Sequence, residues 1–127
     1  MKLLLAITAV LEAATGLGLL VTPAVVARLL LGTTLDAPAA VTVARVAGAA
    51  LLALGAACWL SRDHGRALVV AMLFYNVAAV AILAHAAVGL ALSGLGVWPA
   101  IGLHTALAGW CAAALKSTRL HPTITNP

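Results

Sequence analysis

Four long apolar stretches, separated by short polar turns, constrain what this chain can fold into. A membrane-spanning helix needs about 20 predominantly apolar residues, and the sequence offers such segments at residues 3–21, 37–60, 67–92 and 97–115. They lack the alternation of polar and apolar residues that a transmembrane β-barrel requires. The sequence therefore predicts an all-α fold, an integral membrane four-helix bundle in which residues 1–127 form a single transmembrane domain.

The composition excludes several other classes of protein. Hydrophobic residues make up 65% of the chain and charged residues 8%, whereas a soluble domain has about 45–50% apolar and about 25% charged residues. A soluble globular protein, a disordered tail and a disulfide scaffold are thereby excluded. The net charge is +4, but the basic residues are spread along the chain and form no stripe. We therefore expect the lipid bilayer, and not nucleic acid, as the partner.

Turn-forming residues mark the ends of the predicted spans. Residues 23–31 have the length and apolar character of a short helix that lies in the membrane interface and ends at Gly32. Asp36 is the predicted N-cap of the second span. Residues 117–127 form a predicted polar tail.

The basic residues predict the orientation of the four spans. With four spans, the N-terminus, the turn at residues 61–66 and the C-terminus share one side. That side holds most of the positive charge, contributed by Lys2, Arg62, Arg66, Lys116 and Arg119. The positive-inside rule then predicts that both termini lie in the cytoplasm.

Four ionisable residues fall inside the predicted spans, one on each. At about 1.5 Å of rise per residue, Glu12 is roughly 15 Å deep, Arg45 and His85 roughly 12 Å, and His104 roughly 10 Å from the outer ends. Charged groups inside a bilayer are costly and often mark functional sites. Their similar depth predicts a buried cluster that binds a small ligand or lies on a proton path.

Glu12 and Arg45 are a predicted ion pair, because they lie on consecutive antiparallel spans at similar depth. Pairing offsets much of the desolvation cost that an isolated charge would carry. The pair either fixes only the register of the two helices or also faces a ligand or a proton path.

His85 and His104 flank the short turn between spans three and four, and three interpretations of them remain open. They are core histidines, or axial ligands of a b-type haem with Arg45 at a propionate, or part of a quinone, small-ligand or metal site with Glu12. Two histidines and a carboxylate form a known ligand set for iron or zinc. No local metal motif supports that set here, so the sequence leaves the cofactor unidentified.

Other residues suggest contacts between helices. Asn76 lies nine residues before His85, about 180° away around a helix. It is therefore predicted to form a helix–helix hydrogen bond and not to share a site with His85. Gly102 and Gly109 lie on a small-residue face of span four, which predicts close packing in a homo-oligomer or against another membrane protein.

The run from Glu12 to Pro23, EAATGLGLLVTP, followed by Arg45 in span two, resembles small bacterial four-helix membrane proteins of the DoxX-like type. The resemblance covers span number, length and the Gly-then-Pro ending of span one. It implies an accessory or redox-associated protein of the bacterial cytoplasmic (inner) membrane. It identifies no functional residues in this chain.

These observations favour a membrane protein whose Glu12, Arg45, His85 and His104 bind a small ligand or cofactor, as an accessory subunit of a membrane complex. One alternative is an electron-transfer protein that carries haem b or exchanges electrons with quinone. Another is an oligomeric proton-coupled transporter or channel. An enzyme is less favoured, because the sequence shows no catalytic residues arranged as a nucleophile–base pair and no phosphate-binding loop.

Overall fold

The computed structural model describes residues 1–63 and 65–117, and all regular structure in these ranges is helical. The helices are α1 (Lys2–Val21), α2 (Pro23–Leu31), α3 (Pro38–Leu60), α4 (Arg66–Ala84) and α5 (Val97–Ser117). A π-helical turn, His85–Gly89, continues α4. The all-α prediction is confirmed. The predicted tail beyond Ser117 lies outside the described residues.

Three of the described helices are long and apolar enough to cross a membrane. They are α1, α3, and α4 together with its π-helical turn. Helix α5 has 21 residues, but Pro99, His104, Thr105 and its two tryptophans make it less apolar. It is the fourth long helix that the sequence predicts.

The short helix α2 has the predicted bounds and ends as predicted. Gly32 terminates it in a left-handed conformation with φ of 72°. The loop before α5 packs on this end, where the Gly96 N–H donates to the Leu29 carbonyl over 2.8 Å. At Gly94 a Cβ atom would clash with the Leu30 backbone, so only glycine fits there.

The prediction that Asp36 caps the second span is wrong. The N-cap of α3 is Ala37, with no side-chain hydrogen bond. The Asp36 carboxylate instead accepts a hydrogen bond of 2.6 Å from the Thr34 hydroxyl. This local bond within the loop competes with capping.

Helices α1 and α3 are antiparallel and cross in direct backbone contact. A Cβ atom on Gly16 would lie 2.6 Å from the Gly48 carbonyl oxygen, and one on Gly55 would lie 2.9 Å from the Ala9 carbonyl oxygen. Small residues at these positions let the two backbones approach closely, as in membrane helix pairs.

Helices α4 and α5 form a second antiparallel pair, and the two pairs share an apolar core. This core lies where α1 and α4 begin and where α3 and α5 end. Its buried members are Leu4, Leu5, Ala9, Cys58, Val69, Met72, Leu107 and Cys111. An exposed salt bridge of 3.1 Å joins Lys2 to Asp63 at the same end. The helices therefore pack densely at this end of the molecule.

Candidate functional site

A partly open cleft of about 500 Å³ lies between the two helix pairs, toward the end that carries α2. All five helices contribute to its lining: Thr15, Leu19, Val26, Leu30, Ala47, Ala50, Leu51, Tyr75, Ala78, Ala79, Ile82, Leu83 and His104. Ten of these residues are aliphatic, and polar groups come from Thr15, Tyr75 and His104 alone. Apolar pockets of about 300–1,000 Å³ with a few polar groups are typical ligand sites.

Tyr75 and Glu12 connect the two helix pairs. The Tyr75 hydroxyl on α4 donates a hydrogen bond of 3.2 Å to Oε2 of Glu12 on α1. Glu12 is 4% exposed, so its carboxylate lies almost wholly inside the protein. A buried charge needs such partners, and this bond gives Glu12 one at the deep end of the cleft.

His104 and Asn76 join α4 to α5. The His104 Nδ1 atom lies 2.8 Å from Oδ1 of Asn76. The Asn76 amide nitrogen donates over 2.7 Å to the Met72 carbonyl oxygen within α4. Asn76 is fully buried and makes a hydrogen bond between helices, the role that its position in the sequence predicts. The His104 ring also meets Tyr75 edge-on, with centroids 5.7 Å apart.

The structure does not form the predicted Glu12–Arg45 pair. Arg45 is exposed on α3, and within the described residues it has neither an ion pair nor a hydrogen bond. The sequence predicts this pair from depth alone, and depth does not fix the direction in which a side chain points. Glu12 instead turns toward α4, where Tyr75 occupies the position expected for Arg45.

The structure does not bring His85 and His104 together either. His85 is exposed in the π-helical turn, outside the cleft lining, and its ring packs on Gly89. His104 bonds Asn76, which lies nine residues before His85 and hence on roughly the opposite face of α4. A haem held by both histidines therefore does not fit this geometry.

A metal site is not supported by the described residues. Within residues 1–63 and 65–117, no group of three His, Cys, Asp or Glu side chains could hold a metal ion. The set of Glu12, His85 and His104 considered from the sequence is therefore not assembled. Cys58 and Cys111 are buried free thiols in the apolar core.

Gly102 and Gly109 lie on the outer surface of α5. Both are exposed, and a Cβ atom on either would meet nothing within 4 Å. They therefore do not pack against another helix of this chain. Their predicted role in contacts with a second molecule stays a prediction.

Sequence reasoning did not assign Tyr75 or Thr15 to the site. Tyr75 is the tenth residue of α4 and Glu12 the eleventh of α1, and both helices begin at the same end of the molecule. Residue counting from that end would have placed them at the same depth, about 15 Å along each helix. Counting from the other end of α4 drew attention to His85 instead.

Comparison of the chain with protein-family models, with curated proteins and with solved structures gives no match. The resemblance to DoxX-like proteins therefore stays an expectation from the sequence. The candidate site rests on the cleft and on the side chains of Glu12, Tyr75, Asn76 and His104.

Proposed function

We propose that the chain is an integral membrane protein in which α1, α3, α5 and α4 with its π-helical turn all cross the bilayer. The outward faces of these helices support this. Leu17 on α1, Val43 on α3 and Phe74 on α4 are 56%, 68% and 73% exposed. Many large apolar side chains exposed together would promote aggregation in water. In a membrane the same side chains contact lipid tails and need no further burial.

The distribution of basic residues supports cytoplasmic termini in a bacterial inner membrane. Lys2, Arg62, Arg66 and Lys116 lie at the end where α1 begins, and Arg28 on α2 lies at the other end. We expect a Thr33→Cys variant to react with an impermeant maleimide on intact cells. An Asp63→Cys variant is expected to react only after lysis. The reverse pattern would contradict this orientation.

We further propose that the cleft binds an apolar molecule with a small polar head group. The single observation that carries this proposal is the composition of the cleft, in which an aliphatic lining surrounds Tyr75 and His104 at the deep end. The distance along α4 from Tyr75 to Leu83 is about 12 Å. That length accommodates a ring or a short hydrocarbon segment, with any longer tail extending into the bilayer.

The protein would act as a binding or accessory subunit of a membrane complex. The loops are short and the described residues hold no separate soluble domain for catalysis. The exposed face around Gly102 and Gly109 would contact the partner. Among the ligands considered from the sequence, the cleft favours a quinone-like molecule over a haem held by two histidines.

A photoaffinity experiment tests the proposed ligand site. Membranes that contain the protein are irradiated with an alkyne-tagged 16-carbon alcohol bearing a diazirine, and the labelled peptides are mapped by mass spectrometry. We expect labels on the segments of α3 and α4 that line the cleft. Ala79→Phe, which fills the cleft from α4, should remove most of the labelling.

Ala81→Phe is the matched control for that variant. It makes the same change two residues away, at an exposed position outside the cleft lining, and should leave the labelling unchanged. Labels scattered over the exposed faces of the helices, with no difference between the two variants, would refute the proposed function.

A further inference from the structure

We infer that the ligand of the cleft carries a hydroxyl group and donates its proton to Nε2 of His104. This inference rests on the proposed function and specifies the chemical class of the ligand. It follows from the directions of the hydrogen bonds around the cleft.

The orientation of the Asn76 amide fixes the position of the proton on His104. A backbone carbonyl oxygen only accepts, so the Asn76 group that lies 2.7 Å from the Met72 oxygen is the NH2 group. The amide oxygen must then face Nδ1 of His104, 2.8 Å away. Because that oxygen also only accepts, Nδ1 carries the proton. In a neutral imidazole Nε2 is then an acceptor with a free lone pair.

Nε2 is the accessible ring nitrogen of His104, a residue that lines the cleft. It has no hydrogen-bond partner among the described residues. Every fully buried side-chain nitrogen or oxygen in those residues does have a partner, so Nε2 is accessible from outside the protein. His104 lines the cleft, whereas Asn76, which contacts its Nδ1 edge, does not. With Nδ1 held by Asn76 on the protein side, we place the accessible lone pair toward the space that the ligand would fill.

The other polar groups of the cleft point to the same ligand chemistry. The hydroxyl proton of Tyr75 is donated to Glu12, so the phenol oxygen offers the cleft only an acceptor. The Thr15 hydroxyl serves as donor or acceptor and does not discriminate. His104 and Tyr75 both direct their protons into the protein and offer only acceptor atoms to the cleft. The cleft therefore favours a ligand that carries a hydrogen-bond donor over one that carries acceptors alone.

The favoured ligand is thus an apolar alcohol or phenol. Two sources provide this chemistry in a membrane, a long-chain isoprenoid alcohol and a reduced quinone. The matching ether and the oxidised quinone keep the shape and the apolar surface but lack the donor. An analogue that cannot form one neutral hydrogen bond should bind about tenfold more weakly than the ligand that forms it.

Competition against the diazirine alcohol tests the inference at pH 8. The competitors are farnesol against farnesyl methyl ether, and a decyl-substituted benzoquinol against the corresponding benzoquinone under anaerobic conditions. We expect the hydroxyl-bearing member of at least one pair to compete about tenfold better than its partner. The pair that shows the effect identifies the source, isoprenoid alcohol or quinol.

Two variants assign the effect to His104. His104→Gln places an amide that both donates and accepts at this position, and it should reduce the discrimination to less than threefold. His85→Gln makes the same replacement outside the cleft and should preserve the full discrimination.

Nitrogen NMR of the wild-type protein labelled with ¹⁵N-histidine gives a test that does not depend on any variant folding. His104 should show a protonated Nδ1 and a bare Nε2 in the free protein, and the Nε2 resonance should shift when the alcohol binds. A proton on Nε2 in the free protein would overturn the inference.

Failure of the inference is distinguishable from failure of the proposed function. If both members of each pair displace the probe equally and Ala79→Phe still abolishes labelling, the cleft binds apolar molecules but the hydroxyl requirement is wrong. If the probe does not label the cleft at all and no competitor shifts the Nε2 resonance, both the proposed ligand site and the hydroxyl requirement are wrong.

Discussion

Replacing Gly16 by Ala tests whether the contact between α1 and α3 holds one wall of the cleft in place. The added Cβ atom would lie 2.6 Å from the Gly48 carbonyl oxygen and 2.8 Å from the Leu52 backbone nitrogen. Both neighbours belong to the backbone of α3, so no side chain can rotate away. The two helices must therefore move apart by at least about 0.8 Å to reach ordinary contact distances.

The magnitude follows from two opposing effects. Overpacking of this kind costs about 1–3 kcal/mol, while Ala in place of Gly within a helix contributes about 1 kcal/mol of stability. Gly102→Ala serves as the control, because its Cβ atom would meet nothing within 4 Å. It retains the gain in helix propensity without the clash. The difference between the two variants should thus be about 1–3 kcal/mol, with Gly16→Ala the less stable.

The assay is reversible unfolding in mixed micelles by titration with sodium dodecyl sulfate, followed by circular dichroism. Binding of the diazirine alcohol should weaken in Gly16→Ala as well, because Thr15 and Leu19 of the same helix line the cleft. Equal stabilities for the two variants, or a Gly16→Ala protein more stable than Gly102→Ala, would refute the close backbone contact.

Three further predictions concern single side chains. Glu12→Gln and Arg45→Leu should change the unfolding free energy additively to within about 0.5 kcal/mol, because the two residues form no pair. A larger coupling energy in the double-mutant cycle would show that the ion pair predicted from the sequence does form. Tyr75→Phe should lower the unfolding free energy by about 0.6 kcal/mol, the average for hydrogen bonds between membrane helices, and by at most about 1.7 kcal/mol. An unchanged value would show that the bond to Glu12 is not formed. Cys58 and Cys111, both 0% exposed, should resist a membrane-permeant maleimide until the protein is unfolded, and rapid labelling of the folded protein would contradict the packing of the core.

Much of the fold follows from the sequence because apolar length and turn residues act locally. The bounds of α2 and the end at Gly32 agree with the prediction, and α1, α3 and α5 begin and end within two residues of it. The third predicted span is shorter than expected, since α4 and its π-helical turn end at Gly89 and not at residue 92. The four long apolar segments needed no tertiary information.

The candidate site could be predicted only in part, because residue counting gives depth and not direction. The apolar residues of α3 and α4 surround these helices on all sides, so the sequence has no polar stripe to show which face turns inward. Arg45 and His85 have suitable depths but face outward. The angular argument succeeded where both residues lie on one helix, as with Asn76 and His85, because their separation is fixed by the helix itself.

Small residues produce both the tight contact between α1 and α3 and the cleft between the helix pairs. Alanine and glycine bring the backbones of α1 and α3 together where the two helices cross. Between the helix pairs, Ala47, Ala50, Ala78 and Ala79 line opposing walls that do not meet. The small side chains on these walls leave the cleft open because the backbones of the two helix pairs are held apart. Larger residues on the walls would fill the cleft. The bond from Tyr75 to Glu12 joins the two pairs at the deep end of this space. The open volume and the polar groups at its base thus follow from one arrangement of helices, and this is why we propose the cleft as the ligand site.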